Sequence, residues 1–457
     1  LDGFQLFATI QLKEDLVLTD CNAALTEIFG QMLTIFAATL TDKKKEQLAY
    51  SFANYISQSL KNQIPFTSPI GILEKLIQIA GNGQIDISRQ HITLYPMSKL
   101  IKYHGKELKG AIPTVITAIF TICSSQFQNR DFESEEASRT AISLFENIAR
   151  TANSAEFYQL LVSSLCAEPA IPQSFASLCA IYGTINELLE QYEQNIESVV
   201  SYVMSKITLE SLAIIEICLK IFADLAEALS DAVKPYVEQI LQIAFQLLTQ
   251  FPKVEIQSEA VNLISGVFES IDLEPSFVIP HISNLVGLFS SASEELQPLL
   301  MGAIANGILA CQDGIEPFVE SFFPVIQAGM ASQNPVLLAS TIEVYGNLLY
   351  CANNLPPDFI AQGIEFISTY SQDDDYSLRV CSLNAFRRIA DKKNGTLPNS
   401  QLEFWTFLLM SAINAAGVVD DDKERGITDY KETDVREAGS ALLKSMLKNH
   451  PQETLAS

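Results

Sequence analysis

A metal centre or a nucleophilic active site needs ionisable or sulfur-bearing side chains at set spacings, and this sequence offers them only scattered. The four histidines, His91, His104, His281 and His450, lie far apart in the chain. None belongs to an H-E-x-x-H or stands beside a cysteine pair with metal-ligand spacing. The eight cysteines (Cys21, Cys123, Cys166, Cys179, Cys218, Cys311, Cys351 and Cys381) form no C-x-x-C, and most fall in apolar helical text. That pattern suits reduced, buried thiols of the cytosol or nucleus. Neither G-x-x-x-x-G-K-[ST] nor G-x-G-x-x-G occurs, and Gly81–Gly83 reads as a turn. Carboxylates abound, but no pair is singled out. The expectation is a protein that is not an enzyme, with no catalytic, cofactor-binding or metal residues, whose work is binding.

The charge balance says what it would bind. The chain has 54 acidic and 29 basic residues, a net charge of −25. Such a chain repels nucleic-acid phosphates, attracts basic partners, and is kept soluble by its own charge. Two stretches of about twenty residues lack charge, Gly110–Asn129 and Ser321–Ile342. Both carry proline and many polar residues, so they read as helices of a soluble protein and not as membrane spans. The text reads as ordinary chain from Leu1, which suggests a piece of a longer protein.

The main signal along the chain is a period. Pro235 opens "PYVEQILQIAFQLL" and Pro317 opens "PFVESFFPVIQAGM". Their aromatics, Tyr236 and Phe318, belong to a series with Phe277 and Phe359, spaced 41 residues apart. Each aromatic leads a helical apolar pattern. A break and a second helical pattern follow, near Glu255–Ile271, Leu296–Cys311, Val336–Cys351 and Leu378–Ala390. The second helices align in columns at the same spacing. One column is Ala260, Met301, Ile342 and Leu383. The next is Leu263, Ile304, Tyr345 and Phe386, and the third is Val267, Ile308, Leu349 and Ala390. Two further steps back give Leu219, Phe222 and Ala226, then Leu178, Ile181 and Ile185. All eighteen positions are apolar in a chain that is 48% hydrophobic, which fixes the register. Offsets of three and seven residues lie on one helix face. The repeated phrase is expected to give every first helix the same anchor against its neighbours.

Each helix pair has an apolar face that it cannot bury alone, so pairs must stack. The two-helix unit of this length matches HEAT repeats. The expected fold is all-α, an α-α superhelix of about ten helix pairs, a single solenoid over 1–457. Residues 1–150 hold less regular pairs, 151–400 the regular repeats, and 401–457 a terminal pair with a long acidic loop. Among the early pairs, "SRQHITLYPMSKLIKY" is expected to bend at Pro96.

Four features are candidates for partner binding, each with a plainer reading beside it. Asp373, Asp374 and Asp375 form an acidic run that either meets a basic partner or caps the next helix. Gly417–Gly439 is a charged stretch containing Asp420, Asp421 and Asp422, a functional loop or a disordered one. Trp405, the only tryptophan, is an exposed anchor or a core residue. The polar column Asp224, Ser265, Asn306, Asn347 and Arg388 keeps the same 41-residue spacing. It is either a ladder that grips a peptide or the solvated side of the second helices.

The stretch from about Val254 to Met446 resembles the C-terminal half of the importin-β (karyopherin-β) family of nuclear transport receptors. "VEIQSEAVNLISGVFESI", "PSFVIPHISNLVGLF" and "GIEPFVESFFPVIQAG" follow that family's order of second helix, aromatic-led first helix and Pro-Phe first helix. "TDYKETDVREAGSALLKSML" resembles the long loop and following helix near its C-terminal end. The resemblance implies a monomeric import receptor of cytoplasm, nucleus and nuclear pores. Its partners would be basic cargo or an adaptor's basic segment, Phe-Gly nucleoporins, and Ran-GTP, which such receptors bind mainly on the N-terminal half. Trp405 stands alone where the family carries a tryptophan-rich inner surface. The alternative is another HEAT scaffold, such as a phosphatase scaffold subunit.

Overall fold

The columns predict where helices must touch, and the core is built on them. In the computed structural model all eighteen column positions are buried, none more than 6% exposed. The structure describes residues 69–81, 94–128, 135–151, 158–159, 171–207, 211–392, 402–416 and 431–456. Among them every regular element is helical. Contacts divide the chain into two compact units, Leu1–Val233 and Lys234–Ser457.

The first unit contains α1 (Pro69–Gly81), α2 (Leu94–Leu108), α3 (Ile112–Gln128), α4 (Glu135–Thr151), α5 (Ile171–Thr184), α6 (Leu189–Gln194), α7 (Ile196–Lys206), α8 (Leu212–Ala228) and the single turn α9 (Ser230–Val233). Helix α2 packs on α4, α4 on α5 and α5 on α8, while α1 pairs with α2 and α7 with α8. Within the described span of α2 the backbone at Pro96 is helical. The helix breaks at His104 instead (φ −119°, ψ 17°). At Gly183 a Cβ would stand 2.6 Å from the Ile142 carbonyl oxygen, so only glycine lets α5 lie this close to α4.

The second unit contains α10 (Val237–Gln250), α11 (Val254–Ser270), α12 (Pro275–Phe289), α13 (Leu296–Cys311), α14 (Phe323–Met330), α15 (Pro335–Cys351), α16 (Pro357–Tyr370), α17 (Tyr376–Asp391), α18 (Leu402–Ala416), α19 (Glu432–Asn449) and α20 (Pro451–Ala456). First and second helices alternate, and the predicted second helices are found within two residues of their expected ends. Successive second helices, α11, α13, α15, α17 and α19, pack directly on one another. Local chemistry sets their ends. Asn334 accepts the Val336 N–H at 3.0 Å, ahead of Pro335 in the first turn of α15. At the far end of α15, Lys392 Nζ donates to the Leu349 carbonyl at 3.0 Å and to that of Ala352. A cation there satisfies last-turn carbonyls and complements the helix dipole.

Within the repeated phrase the anchor is in general the residue after the aromatic. In three repeats the residue after it is buried: Val237 (1% exposed), Val278 (0%) and Val319 (6%). Tyr236 and Phe277 are partly exposed and Phe318 is 40% exposed; only Phe359 is itself buried. The slim β-branched chain fits between helix backbones, and the bulky ring is left at the rim. Phe318 also lies outside α-helix, in a 3₁₀ run Gln312–Phe322 that contains Pro317 and opens on Gln312 at φ 47°.

The terminal pair corrects one boundary. Of the charged stretch Gly417–Gly439, residues from Glu432 onward are helical. Val435, Ala438, Leu442 and Met446 recur at helical spacing and are buried. The Asp434 carboxylate accepts the Lys431 N–H at 2.6 Å and closes the first turn.

Candidate partner-binding surfaces

The polar column is a ladder within the stack. Asn306 Nδ2 donates to Ser265 Oγ at 3.1 Å, across to the preceding second helix, and to Glu269 Oε2 at 3.3 Å. Asn347 Nδ2 donates to the Ala305 carbonyl at 2.8 Å, and its Oδ1 accepts from Arg388 Nη1 on the following helix. Asn347 is only 1% exposed. The 41-residue spacing is thus a hydrogen-bonded register, which neither plain reading anticipated in full. Asn347 is committed to its neighbours, while Asn306 and Glu269 keep exposure.

Two carboxylates on second helices, one in each unit, are disturbed. Burial raises the Glu343 carboxyl above its usual range, and Glu269 adds to the rise; Arg388 and the Cys381 thiol, which donates over 3.7 Å, oppose it. Asp224, on α8 in the first unit, is pushed up to about 6, first by burial and then by the charge of Glu227. A folded pKa above the unfolded value near 3.9 means that the folded state holds the proton more tightly. Its contribution to stability is complete below about pH 4 and is lost as pH rises through about 6. Asp224→Asn is expected to raise the urea midpoint at neutral pH, with the gain shrinking towards pH 4. A gain constant over that range would contradict the assignment.

The acidic run does local work. Asp375 accepts the Ser377 N–H at 2.9 Å as the cap of α17, and Asp373 accepts the Asp375 N–H at 2.8 Å. Asp374 is exposed. Trp405 is 2% exposed, its ring 4.6 Å from that of His450, so it sits in the core and not on a surface. Asp420, Asp421 and Asp422 lie outside the described residues.

Two features were not singled out from sequence. The first is a gap: between Lys253 and Arg379, residues 254–378 carry sixteen acidic residues and no lysine or arginine. Net charge alone hides such a segregation; a count along the chain reveals it. The second is an aromatic step between the adjacent first helices α10 and α12. The His281 ring stacks on Phe245 (centroids 5.4 Å apart, 18° between planes) and leans on Phe277 (5.1 Å, 58°). All three are partly exposed. His281 Nδ1 is buried with no hydrogen-bond partner among the described residues, and burial lowers its pKa against the opposing charge of Glu238. The step is therefore uncharged at neutral pH.

Among the described residues no group of three or more His, Cys, Asp or Glu could hold a metal ion. His104 bonds Glu107 at 3.1 Å and His450 donates through Nε2 to the Ala390 carbonyl at 3.0 Å, on separate elements. No helix among the described residues is long and apolar enough to cross a membrane.

No family model matches the sequence, and no curated protein does. Solved structures do. The crystal structure of Kap121p matches 95% of this chain with a TM-score of 0.70 and 13% identity, over 46% of its own length. Importin beta matches 98% of this chain with a TM-score of 0.68 and 13% identity, over 55% of its own length. Kap121p bound to Pho4p matches 99% with a TM-score of 0.65 and 12% identity, over 51% of its length. This chain therefore spans about half the length of the solved chains it matches, and it has the HEAT-repeat solenoid fold of the karyopherin-β structures.

Proposed function

We propose that the chain is part of a nuclear import receptor of the importin-β type, which binds a basic cargo or adaptor segment and Phe-Gly nucleoporins. The observation that carries this reading is the run of 125 residues, 254–378, with sixteen carboxylates and no cation, set on the karyopherin-β-like fold. A polybasic segment approaching it meets no like charge. Glu269, exposed on the second-helix layer beside Asn306, is the first contact assigned to it. The aromatic step Phe245–His281–Phe277 is assigned to Phe-Gly side chains, since an apolar ring can stack there. Kap121p has been solved with Pho4p, with Ste12p and with the extreme C-terminus of Cdc14p, so that protein binds other proteins. On this reading the protein works in cytoplasm and nucleus, without catalysis, and Ran-GTP is the releasing partner.

Fluorescence anisotropy with a labelled lysine-rich peptide tests the basic-segment half. Binding is expected to weaken steeply with salt, and Glu269→Lys to weaken it about tenfold, roughly 1.4 kcal/mol. Binding unaffected by Glu269→Lys would remove this layer from the account.

A further inference from the structure

One described stretch of the first unit reverses the sign of the chain. Residues 94–128 carry four lysines, Lys99, Lys102, Lys106 and Lys109, and a single carboxylate, Glu107. The whole chain has nearly twice as many acidic as basic residues, 54 against 29. The lysines lie on α2 and on the 3₁₀ turn Lys109–Ala111 that continues it. Their steps of three, four and three residues would share one face of a straight helix. The departure at His104 bends that face, with Lys99 and Lys102 before the corner and Lys106 and Lys109 after it.

The buried side of α2 fixes what the corner presents. Leu100, Ile101 and Leu108 are at most 1% exposed. With these held inside, Lys102, Lys106 and Lys109 are exposed. Tyr103 is 46% exposed among them, and Lys102 Nζ lies 5.9 Å from its ring centroid. Neither Lys102 nor Lys106 has an ion-pair partner among the described residues, and Glu107 is bonded to His104 Nδ1 at 3.1 Å. A cationic corner with an aromatic at its centre thus faces solvent.

We infer that this corner docks a short acidic protein segment carrying an apolar side chain. Carboxylates would pair with Lys102 and Lys106, and the apolar side chain would lie on Tyr103. The size of the corner favours a short occupant. From Lys99 to Lys109 the chain rises about 15 Å, and screening at physiological salt confines attraction to about 8 Å. A nucleic acid or an anionic bilayer would extend past the corner onto a chain whose net charge is −25, and there it would be repelled. This inference is independent of the proposed function, which concerns the second unit.

Anisotropy on the full chain decides it, with a labelled peptide of glutamates around a central leucine as the probe. Wild type is expected to bind with an affinity that falls as salt rises. Lys102→Glu with Lys106→Glu is expected to weaken binding at least tenfold, while Lys102→Arg with Lys106→Arg retains it. Reversal of two exposed lysines elsewhere, Lys234→Glu with Lys253→Glu, is expected to change it less than twofold. Far-UV circular dichroism and unchanged binding of the lysine-rich peptide show that the corner variant is folded. Equal weakening by both reversals, or no binding by wild type, would overturn the inference. So would tighter binding of a thymidine oligonucleotide or of phosphatidylserine vesicles, lost in the corner variant, since the occupant would then be a nucleic acid or a membrane.

Discussion

Trp405→Ala is expected to lower the stability of the terminal repeat by about 3–5 kcal/mol, whereas Trp405→Phe is expected to cost about 1 kcal/mol. The indole is 2% exposed and packs edge-on against Phe404 (5.9 Å) and beside His450 (4.6 Å). Alanine would leave a cavity in the packing of α18. Phenylalanine fills most of it and also removes the Nε1–H, which is buried without a partner among the described residues. In a stack of repeats stability is nearly a sum of repeat and neighbour terms. The loss should therefore appear first in the exchange protection of amides in 402–416 and 432–449. An alanine variant as protected as wild type would show that the core assignment of Trp405 is mistaken.

Asn347→Leu is expected to cost about 2–3 kcal/mol, more than an ordinary polar substitution, because one amide ties three second helices together. It donates to Ala305 on α13 and accepts from Arg388 on α17. Leucine leaves the guanidinium without that acceptor in a half-buried place. Arg388→Met added to Asn347→Leu is expected to recover about 1 kcal/mol, since removing both partners costs less than orphaning one. Urea unfolding of the two single variants and the double completes the cycle. Strict additivity would mean that the ladder bond contributes nothing to the register.

How much of this was legible in the sequence depended on what kind of force set each feature. Burial is read by periodicity, so the second-helix columns and helix ends came through: Ala260, Met301, Ile342 and Leu383 are all fully buried. The ladder came through only as spacing, because a polar residue at a fixed period has the same text whether it bonds a neighbour or faces water. Which residue of the repeated phrase is the anchor was hidden for a related reason. A repeated pair such as Phe277-Val278 says that one of the two is buried, and only the helix direction decides that it is Val278. Pro96 was expected to bend its helix, whereas the residue that departs from helical geometry within Leu94–Leu108 is His104. The cation-free span needed no structure at all, only a running count in place of a total.

Binding of a labelled Phe-Gly repeat peptide, with its Phe→Ser version as control, tests the receptor reading most directly. The account predicts binding that the Phe→Ser peptide loses, and that weakens when Phe277→Ala removes one wall of the aromatic step on α12. No binding of the Phe-Gly peptide at millimolar concentration would contradict it, and would leave a HEAT scaffold for other proteins as the function of this fold.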